Sequence, residues 1–270
     1  MTDSKKRLEG QSALVTGANS GIGEGIAREL ARLGAAVVVN YVNHEPDARR
    51  IVADIESSGG RAVAIQADVS KEEDVCRMFA DAVKQLGTLD IVVSNAGIQK
   101  DAKFVDMTMA EWSAVLGVNL TGAFLCAREA AREFIRRGPR PGVSRALGKI
   151  IFTSSVHQVI PWTGHVNYAT TKGGIAMLMK SIAQELAPQK IRVNSVAPGA
   201  IKTPINHAAW ATPAAEAALL KLIPCDRVGE PSDVAKVVAW LASDDSDYVY
   251  GATLFVDGGM TLYPGFATGG

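Results

Sequence analysis

The sequence predicts an α/β protein in which a doubly wound parallel sheet carries helices on both faces. Short apolar, β-branched runs alternate with amphipathic stretches along the whole 270-residue chain. Continuous apolar runs are typical of strands buried on both faces of a parallel sheet. Strand–helix alternation is typical of doubly wound folds. No internal repeat or linker-like composition shift divides the sequence, so we predict one domain over residues 1–270.

The predicted elements follow one another in regular order. Seven strand-like runs cover residues 13–16, 35–39, 62–66, 91–94, 149–153, 191–196 and 253–256. Helical stretches include residues 22–33, 71–86, 110–135 and 166–186. Two segments interrupt the alternation: the Gly/Pro/Arg-rich residues 138–148 and the Ala/Leu/Pro-rich residues 203–227. We expect a surface insertion at the first and a helical substrate lid at the second, since ligands bind beyond strand carboxyl ends.

Composition narrows the classes of partner. Lys plus Arg and Asp plus Glu each number 28, so the net charge is zero and gives no indication of nucleic-acid or membrane-surface binding. The amino terminus lacks a secretion signal, and we expect no bilayer-spanning run. Cys76, Cys126 and Cys225 have neither disulfide-like nor metal-like spacing. We therefore predict reduced thiols, no metal and a cytoplasmic protein.

A glycine-rich turn, TGANSGIG, links the first strand to the first helix. Glycines there let backbone N–H groups approach a pyrophosphate, and the helix amino terminus favours the anion. The spacing is GxxxGxG and meets the usual GxGxxG fingerprint only loosely. The alternative is a turn without ligand. The predicted dinucleotide contacts are Gly17, Asn19, Ser20, Gly21, Ile22 and Gly23.

The end of the second strand, at Tyr41, bears on cofactor choice. An acidic residue about 20 positions after the glycines favours NAD, and an Arg favours the 2′-phosphate of NADP. This sequence has neither there, so we predict dual use of NAD and NADP or a mild NAD preference. Asp68 suits an adenine contact, although it could equally cap the next helix. Further predicted cofactor contacts are Tyr41, Asp68, Val69, Asn95, Ala96 and Gly97.

Tyr168 and Lys172, in the segment YATTK, form a candidate catalytic pair at the start of a long apolar helix. Positions i and i+4 share a helical face. A free phenol, with a pKa of about 10, lies some three units above neutrality, a gap of roughly 4 kcal/mol. A cation about 4 Å away at an effective dielectric near 20 supplies roughly that much. A bound oxidised nicotinamide adds a second positive charge. We therefore predict Tyr168 as a general acid/base, against the alternative of a core tyrosine with a solvated lysine.

Two further polar residues suit this chemistry. Ser155 follows the fifth strand, so its hydroxyl can reach the same sheet edge and donate to a developing alkoxide or carbonyl oxygen. Asn119 interrupts an apolar helix, and a buried asparagine must be paired. We expect its partner to be a backbone carbonyl, or a water leading to Lys172.

Six features occur together in this chain: TGANSGIG, NAG, the helical Asn119, Ser155, YATTK and the Pro198-Gly199 turn. Jointly they resemble the short-chain dehydrogenase/reductase superfamily over nearly the whole chain. The resemblance implies a single-domain Rossmann fold with a seven-stranded parallel sheet, assembled as a homotetramer. It implies a catalytic tetrad of Asn119, Ser155, Tyr168 and Lys172. Cofactor contacts implied in addition are Tyr168, Lys172, Pro198, Gly199, Ile201 and Thr203.

A narrower resemblance is to bacterial glucose 1-dehydrogenases, in SSVHQVIPW, PGAIKTPIN and TLFVDGGM. It implies that Ser155, His157 and Asn206 contact a sugar and that residues 260–266 pack at a subunit interface. His157 could equally be a hydrogen-bonded wall residue. Departures from this group are Val42, where Arg is common, Gln99 and Lys100, where an acid is common, and the long 138–148 loop. These departures leave the chemistry unchanged but weaken the assignment to glucose.

The leading hypothesis is an NAD(P)-dependent oxidoreductase that oxidises a sugar or polyol. The alternative within enzymes is a carbonyl or 3-oxoacyl thioester reductase. Arg137, Arg140 and Arg145 would then receive an acidic carrier protein, although solvated surface is the simpler interpretation. A non-catalytic nucleotide sensor is a remote alternative, because this chain keeps both Tyr168 and Lys172.

Overall fold

The computed structural model describes residues 7–262, so most of the predicted interface segment 260–266 lies outside the described residues. One sheet contains β1 (Ser12–Val15), β2 (Ala36–Tyr41), β3 (Arg61–Gln66), β4 (Ile91–Ser94), β5 (Gly148–Thr153), β6 (Ile191–Pro198) and β7 (Thr253–Val256). The strand order is β3-β2-β1-β4-β5-β6-β7, and every pair is parallel. This confirms the doubly wound, seven-stranded sheet. The order reverses between β1 and β4, which creates the crevice where such folds bind ligands.

Helices cover both faces of the sheet. They are α1 (Gly21–Arg32), α2 (Glu45–Ser57), α3 (Glu72–Leu86), α4 (Met109–Leu116), α5 (Gly122–Arg137), α6 (Val166–Leu186), α7 (Pro213–Leu220) and α8 (Pro231–Ala242). One apolar cluster joins α1, α2 and α8 to the sheet, and a second joins α3, α5 and α6 to the opposite face. The all-apolar strands are buried on both sides for this reason.

The predicted helix 110–135 is in fact three consecutive pieces. A π-helical segment, Gly117–Thr121, separates α4 from α5. The continuous run Met109–Arg137 has 29 residues and contains an 18-residue window with a mean hydropathy of 1.2, so by length and composition it could cross a membrane, contrary to the sequence expectation. In the structure this run packs on α3, α6, β4 and β5, as a core-flanking helix does.

The basic loop 138–148 folds onto the amino-terminal edge of the sheet. Arg140 pairs with the buried Asp90 at 2.5 Å and donates to the Gly10 carbonyl at 2.9 Å. Arg137 donates to the Gly138 carbonyl at 2.8 Å and to the Leu147 carbonyl. The arginines expected to receive a carrier protein are therefore largely committed to the fold, with only Arg145 mostly exposed. They also lie at the sheet edge opposite to the strand carboxyl ends, because Gly10 precedes β1 and Leu147 precedes β5.

Candidate active site

The glycine-rich turn is held in place by polar side chains at the carboxyl ends of β1, β2 and β4. The Thr16 hydroxyl accepts from the backbone N–H groups of Asn95 at 2.9 Å and Ala96 at 3.0 Å. The Asn95 amide donates to the Thr16 carbonyl at 3.0 Å and the Gly17 carbonyl at 3.3 Å. The predicted NAG residues therefore fix the turn as well as bordering the cofactor crevice.

Asn40 is a residue of this site that the sequence analysis missed. Its side-chain oxygen accepts from the Gly17 N–H at 3.1 Å, and its amide donates to the carbonyls of Ile65 at 3.2 Å and Ala67 at 3.1 Å. It is buried at the end of the apolar strand β2. One polar residue after three valines was the available signal, because a buried amide needs partners on several sides.

The start of α1 fits a dinucleotide pyrophosphate. Gly17 and Gly21 have φ values of 59° and 54°, which favour glycine. A Cβ on Gly23 would lie 2.3 Å from the Gly17 carbonyl oxygen, so a side chain is excluded there. The N-cap Ser20 makes no side-chain hydrogen bond to the first turn. The N–H groups of this turn are therefore left for an anion, as the helix dipole favours.

The remaining predicted adenosine contacts differ in how they are placed. Tyr41 ends β2, but its side chain is buried and packs in the apolar cluster. Burial, then Glu45, raises the pKa of its phenol. Asp68 accepts from the N–H of Ser70 at 3.0 Å and from its hydroxyl at 2.7 Å, so it closes the turn before α3. The alternative of a helix N-cap is wrong, because the N-cap of α3 is Lys71. Val69 is buried beside Gly122.

A cleft of about 720 Å³ flanks Ser20, Gly21 and the base of the 203–227 segment, away from Tyr168.

Tyr168, near the start of α6, meets Ser155 at the carboxyl end of β5. The side chains of Ser155 and Gln99 lie beside the Tyr168 hydroxyl. Burial raises the pKa of Tyr168 above its ordinary value, and these two polar neighbours act in the opposite direction. Gln99 was noted in the sequence only as a departure from a resemblance. The structure brings its amide to the phenol.

Lys172 is buried one helical turn beyond Tyr168, as predicted. Its ammonium donates to the Thr153 carbonyl at 2.8 Å and lies 5.3 Å from the centroid of the Tyr168 ring. Burial lowers the pKa of Lys172 to about 8. From the sequence we expect Lys172 to lower the pKa of Tyr168. In the structure, by contrast, the ammonium faces the Tyr168 ring and the Thr153 carbonyl. Burial of the phenol therefore dominates in the structure.

Asn119 lies in the π-helical segment between α4 and α5 and is 1% exposed. Its side-chain oxygen accepts from the Ile98 N–H at 2.8 Å, and its amide donates to the Ile98 carbonyl at 3.0 Å. The predicted partner, a backbone carbonyl, is thereby confirmed. A π-bulge of this kind is frequent at functional sites. Here it directs Asn119 to the loop that carries Gly97 and Gln99 beside Tyr168.

The segment 203–227 is a helical excursion, as predicted, containing a 3₁₀ turn, Pro204–Ala209, and α7. Its base packs on the cofactor turn, because a Cβ on Gly21 would lie 3.2 Å from the Thr203 methyl. The Asn206 side-chain oxygen accepts from the Thr203 N–H, the Thr203 hydroxyl and the Trp210 indole. The oxygen expected to meet a substrate is therefore used within the lid, and its amide nitrogen is what remains for a ligand.

The other predicted residues lie along the same edge. Pro198 ends β6, and a Cβ on Gly199 would lie 2.9 Å from the Asp257 Cα atom. Ile201 forms a parallel bridge with Gly229. His157 follows Ser155, whose hydroxyl accepts from the His157 N–H at 3.2 Å. Along residues 7–262 no cluster of three His, Cys, Asp or Glu side chains suits a metal.

Known proteins resemble this chain over almost its full length. A family model described as enoyl-(acyl carrier protein) reductase matches residues 17–261. A 3β-hydroxysteroid dehydrogenase 1 from Eggerthella lenta is 48% identical, covering 97% of this chain and 98% of its own. Glucose 1-dehydrogenase 2 from Bacillus subtilis is 41% identical, covering 96% and 98%. The structure of a gluconate 5-dehydrogenase from Burkholderia cenocepacia with NADP and tartrate has a TM-score of 0.87 at 36% identity, covering 96% and 98%.

The fold, the glycine-rich turn at the β1/β4 crevice and the meeting of Ser155 with Tyr168 agree with these similarities. The chain belongs to the short-chain dehydrogenase/reductase family and is an NAD(P)-dependent oxidoreductase acting on CH–OH groups.

Proposed function

We propose that Tyr168 exchanges the proton of the substrate oxygen, with Ser155, Lys172 and Asn119 supporting it, in a single catalytic domain. The supporting observation is that the Ser155 and Gln99 side chains act on the Tyr168 hydroxyl, while the buried Lys172 ammonium lies against the same ring. The nicotinamide, when bound, supplies the hydride acceptor or donor. In oxidation Tyr168 takes the hydroxyl proton and Ser155 donates to the oxygen; in reduction Tyr168 returns the proton to the carbonyl oxygen.

Lys172 has two tasks in this proposal. Its buried ammonium is aimed by the Thr153 carbonyl towards the face of Tyr168, where a positive charge stabilises a phenolate. It would also hold the nicotinamide ribose. Because burial alone leaves the pKa of Tyr168 raised, the positive charge of a bound oxidised cofactor is the second contribution that the chemistry requires.

The substrate that we propose is a sugar or polyol. Ser155, Gln99 and His157 place hydroxyl, amide and imidazole groups around the Tyr168 phenol. A substrate with neighbouring hydroxyls satisfies these groups, whereas an apolar chain would leave them unpaired at a cost of about 1–3 kcal/mol each. The 41% identity to a glucose 1-dehydrogenase and the fold shared with a gluconate 5-dehydrogenase support this choice.

A hydroxysteroid is the second candidate. Apolar side chains at the site edge are exposed in Val159, Trp162 and Ile205, to 61%, 38% and 55%. They lie on the β5–α6 loop and the lid, where a fused-ring substrate would extend from Tyr168. The 48% identity to a 3β-hydroxysteroid dehydrogenase favours the same class.

Cofactor reduction separates these candidates. Purified protein with NAD⁺ or NADP⁺ is offered D-glucose, D-gluconate, other polyols and a 3β-hydroxysteroid, and the reduced nicotinamide is followed by absorbance. We expect turnover with a polyol and its loss in Tyr168→Phe. Oxidation of the steroid alone would transfer the assignment to the second candidate. Oxidation of NADPH by an acetoacetyl thioester alone would identify a reductase.

We further propose a cytoplasmic homotetramer. Phe124 and Met177 leave apolar side chains 43% and 63% exposed on α5 and α6, and paired subunits would cover them. The described cysteines are all unpaired thiols, which suits a reducing compartment. Native mass spectrometry tests the assembly, and a monomer at micromolar concentration would refute it.

A further inference from the structure

Three aromatic rings form a layered stack beside Tyr168. His157 lies 4.2 Å from Trp162 with 16° between the ring planes, and His165 lies 3.5 Å from Trp162 with 5° between them. Two rings cannot occupy one indole face at such short distances, so the imidazoles cover opposite faces. The face of Trp162 is therefore not available to stack on a substrate, and only its edge is turned to Tyr168, 6.2 Å away at 82°.

The outer ring, His165, is tied down at both nitrogens. Its Nδ1 lies 2.9 Å from the Thr163 carbonyl, and its Nε2 lies 3.2 Å from the Asp101 carboxylate. Carbonyl and carboxylate oxygens accept hydrogen bonds, so Thr163 and Asp101 together fix the orientation of this ring on Trp162. The Ala102 N–H donates to the Gly164 carbonyl at 3.0 Å, which joins the Asp101 loop to this segment.

The inner ring, His157, has a fixed tautomer. Its Nδ1 lies 3.1 Å from the Ile160 carbonyl, so this nitrogen carries the hydrogen and Nε2 keeps its lone pair. Burial is the main cause that lowers the pKa of His157 and so favours the neutral ring, and the hydrogen bond to the Ile160 carbonyl acts in the opposite direction. Within residues 7–262 no side chain or backbone group hydrogen bonds to this Nε2. The centroid of this ring lies 6.3 Å from that of Tyr168, so the imidazole borders the proposed acid/base.

We propose that Trp162 and His165, through the stacking of their rings, are positioning residues that hold His157 as a neutral acceptor for a second substrate hydroxyl beside the reacting one. The loop that carries these rings runs from the end of β5 to α6 with little regular structure, so stacking replaces the support that a strand or helix would give. Only the identity of the hydroxyl ligand rests on the proposed function. The arrangement of the rings does not.

Imidazole NMR tests the stack without any turnover. The chain has four histidines, so ¹H–¹⁵N spectra of the rings can be assigned by deletion, with His207→Phe as the matched control. We expect His157 in a single Nδ1–H tautomer in the wild type, the control and His165→Phe, which keeps a planar ring on Trp162. In His165→Ala we expect nitrogen shifts averaged between the two tautomers. Circular dichroism and cofactor affinity establish that each variant is folded.

Kinetics with D-glucose, or with the polyol turned over fastest, test the role of the acceptor. His165→Ala should raise KM about tenfold and leave kcat within about twofold, the size expected for one lost hydrogen bond. His165→Phe should stay within about twofold in both. A folded His165→Ala protein that keeps the wild-type His157 tautomer overturns the proposal. A His165→Phe protein whose KM rises as much as that of His165→Ala also overturns it. Absence of polyol turnover in the wild type would refute the proposed function and leave the NMR result to decide on the stack.

Discussion

Replacing Lys149 by Met should remove part of the pH dependence of stability. Lys149 is 1% exposed at the amino-terminal end of β5, where its ammonium donates to the Gln11 side chain at 2.7 Å and the Ser144 hydroxyl at 2.6 Å. Asp244 is 4.0 Å away. Burial exceeds the effect of this carboxylate and lowers the pKa of Lys149 from 10.5 to about 8. The folded protein therefore favours the neutral form of Lys149 more than the unfolded chain does.

The size of the effect follows from the two pKa values. At 1.36 kcal/mol per unit, the gap between 10.5 and about 8 corresponds to roughly 3 kcal/mol. Between these values the unfolded chain binds more protons than the folded one, so the free energy of unfolding rises with pH. Lys172, with a pKa also lowered to about 8, should add a similar increment. The Lys149→Met protein should lose about half of the rise that the two lysines produce. Its free energy of unfolding should therefore increase less than that of the wild type between about pH 7 and about pH 10.

Urea unfolding followed by tryptophan fluorescence, from about pH 7 to about pH 10, measures this difference. The exposed Lys84→Met variant is the control and should keep the full rise. A Lys149→Met protein with the wild-type rise would refute the assignment of a buried, destabilised ammonium. The test holds even if the variant is globally less stable, because only the slope against pH is compared.

Four substitutions test the site. Tyr168→Phe should lower kcat by at least about 10³-fold with cofactor affinity retained, as steady-state kinetics and fluorescence titration will show; an unchanged kcat would refute the acid/base role. Gly23→Ala should weaken cofactor binding at least about 100-fold, measured by calorimetry, because its Cβ would lie 2.3 Å from the Gly17 oxygen. Asn119→Ala should destabilise the protein by about 2 kcal/mol in thermal melts, since both Ile98 backbone groups lose their partner. Val42→Arg should raise the NADP⁺/NAD⁺ ratio of kcat/KM about tenfold, because a guanidinium at the end of β2 can meet the 2′-phosphate; no change would place that phosphate elsewhere.

The order of strands and helices was predictable because burial imposes it residue by residue. The apolar runs of β2 and β5 indicated buried strands, and the predicted bounds of α6, residues 166–186, match those observed. The π-helical segment was not predictable in the same way. Its geometry is set by the contacts of Asn119 with the Ile98 backbone, 21 positions earlier in the chain, and no local propensity encodes such a contact.

The candidate site was also only partly predictable from the sequence. Tyr168, Lys172 and Ser155 could be predicted because the proposed reaction demands those residue types at that spacing. Asn40 and Gln99 were missed because their roles depend on tertiary neighbours: Asn40 joins three strand ends, and Gln99 reaches a tyrosine 69 positions later. Electrostatics were also beyond the sequence. The i, i+4 spacing correctly paired Lys172 with Tyr168 but could not show that burial outweighs the cation.

The arginines in and next to the 138–148 loop show why a local cluster of charge does not by itself predict a binding partner. Counted in sequence, they suggested a surface for an acidic carrier, but Arg140 neutralises the buried Asp90 and Arg137 closes the loop on its own carbonyls. A long acyl carrier would, moreover, have to deliver its thioester to Tyr168, at the opposite edge of the sheet. Val159, Trp162 and Ile205, the exposed apolar residues at that edge, offer no electrostatic attraction to an acidic protein. The carrier-dependent reductase therefore loses the support that the arginines of this region gave it.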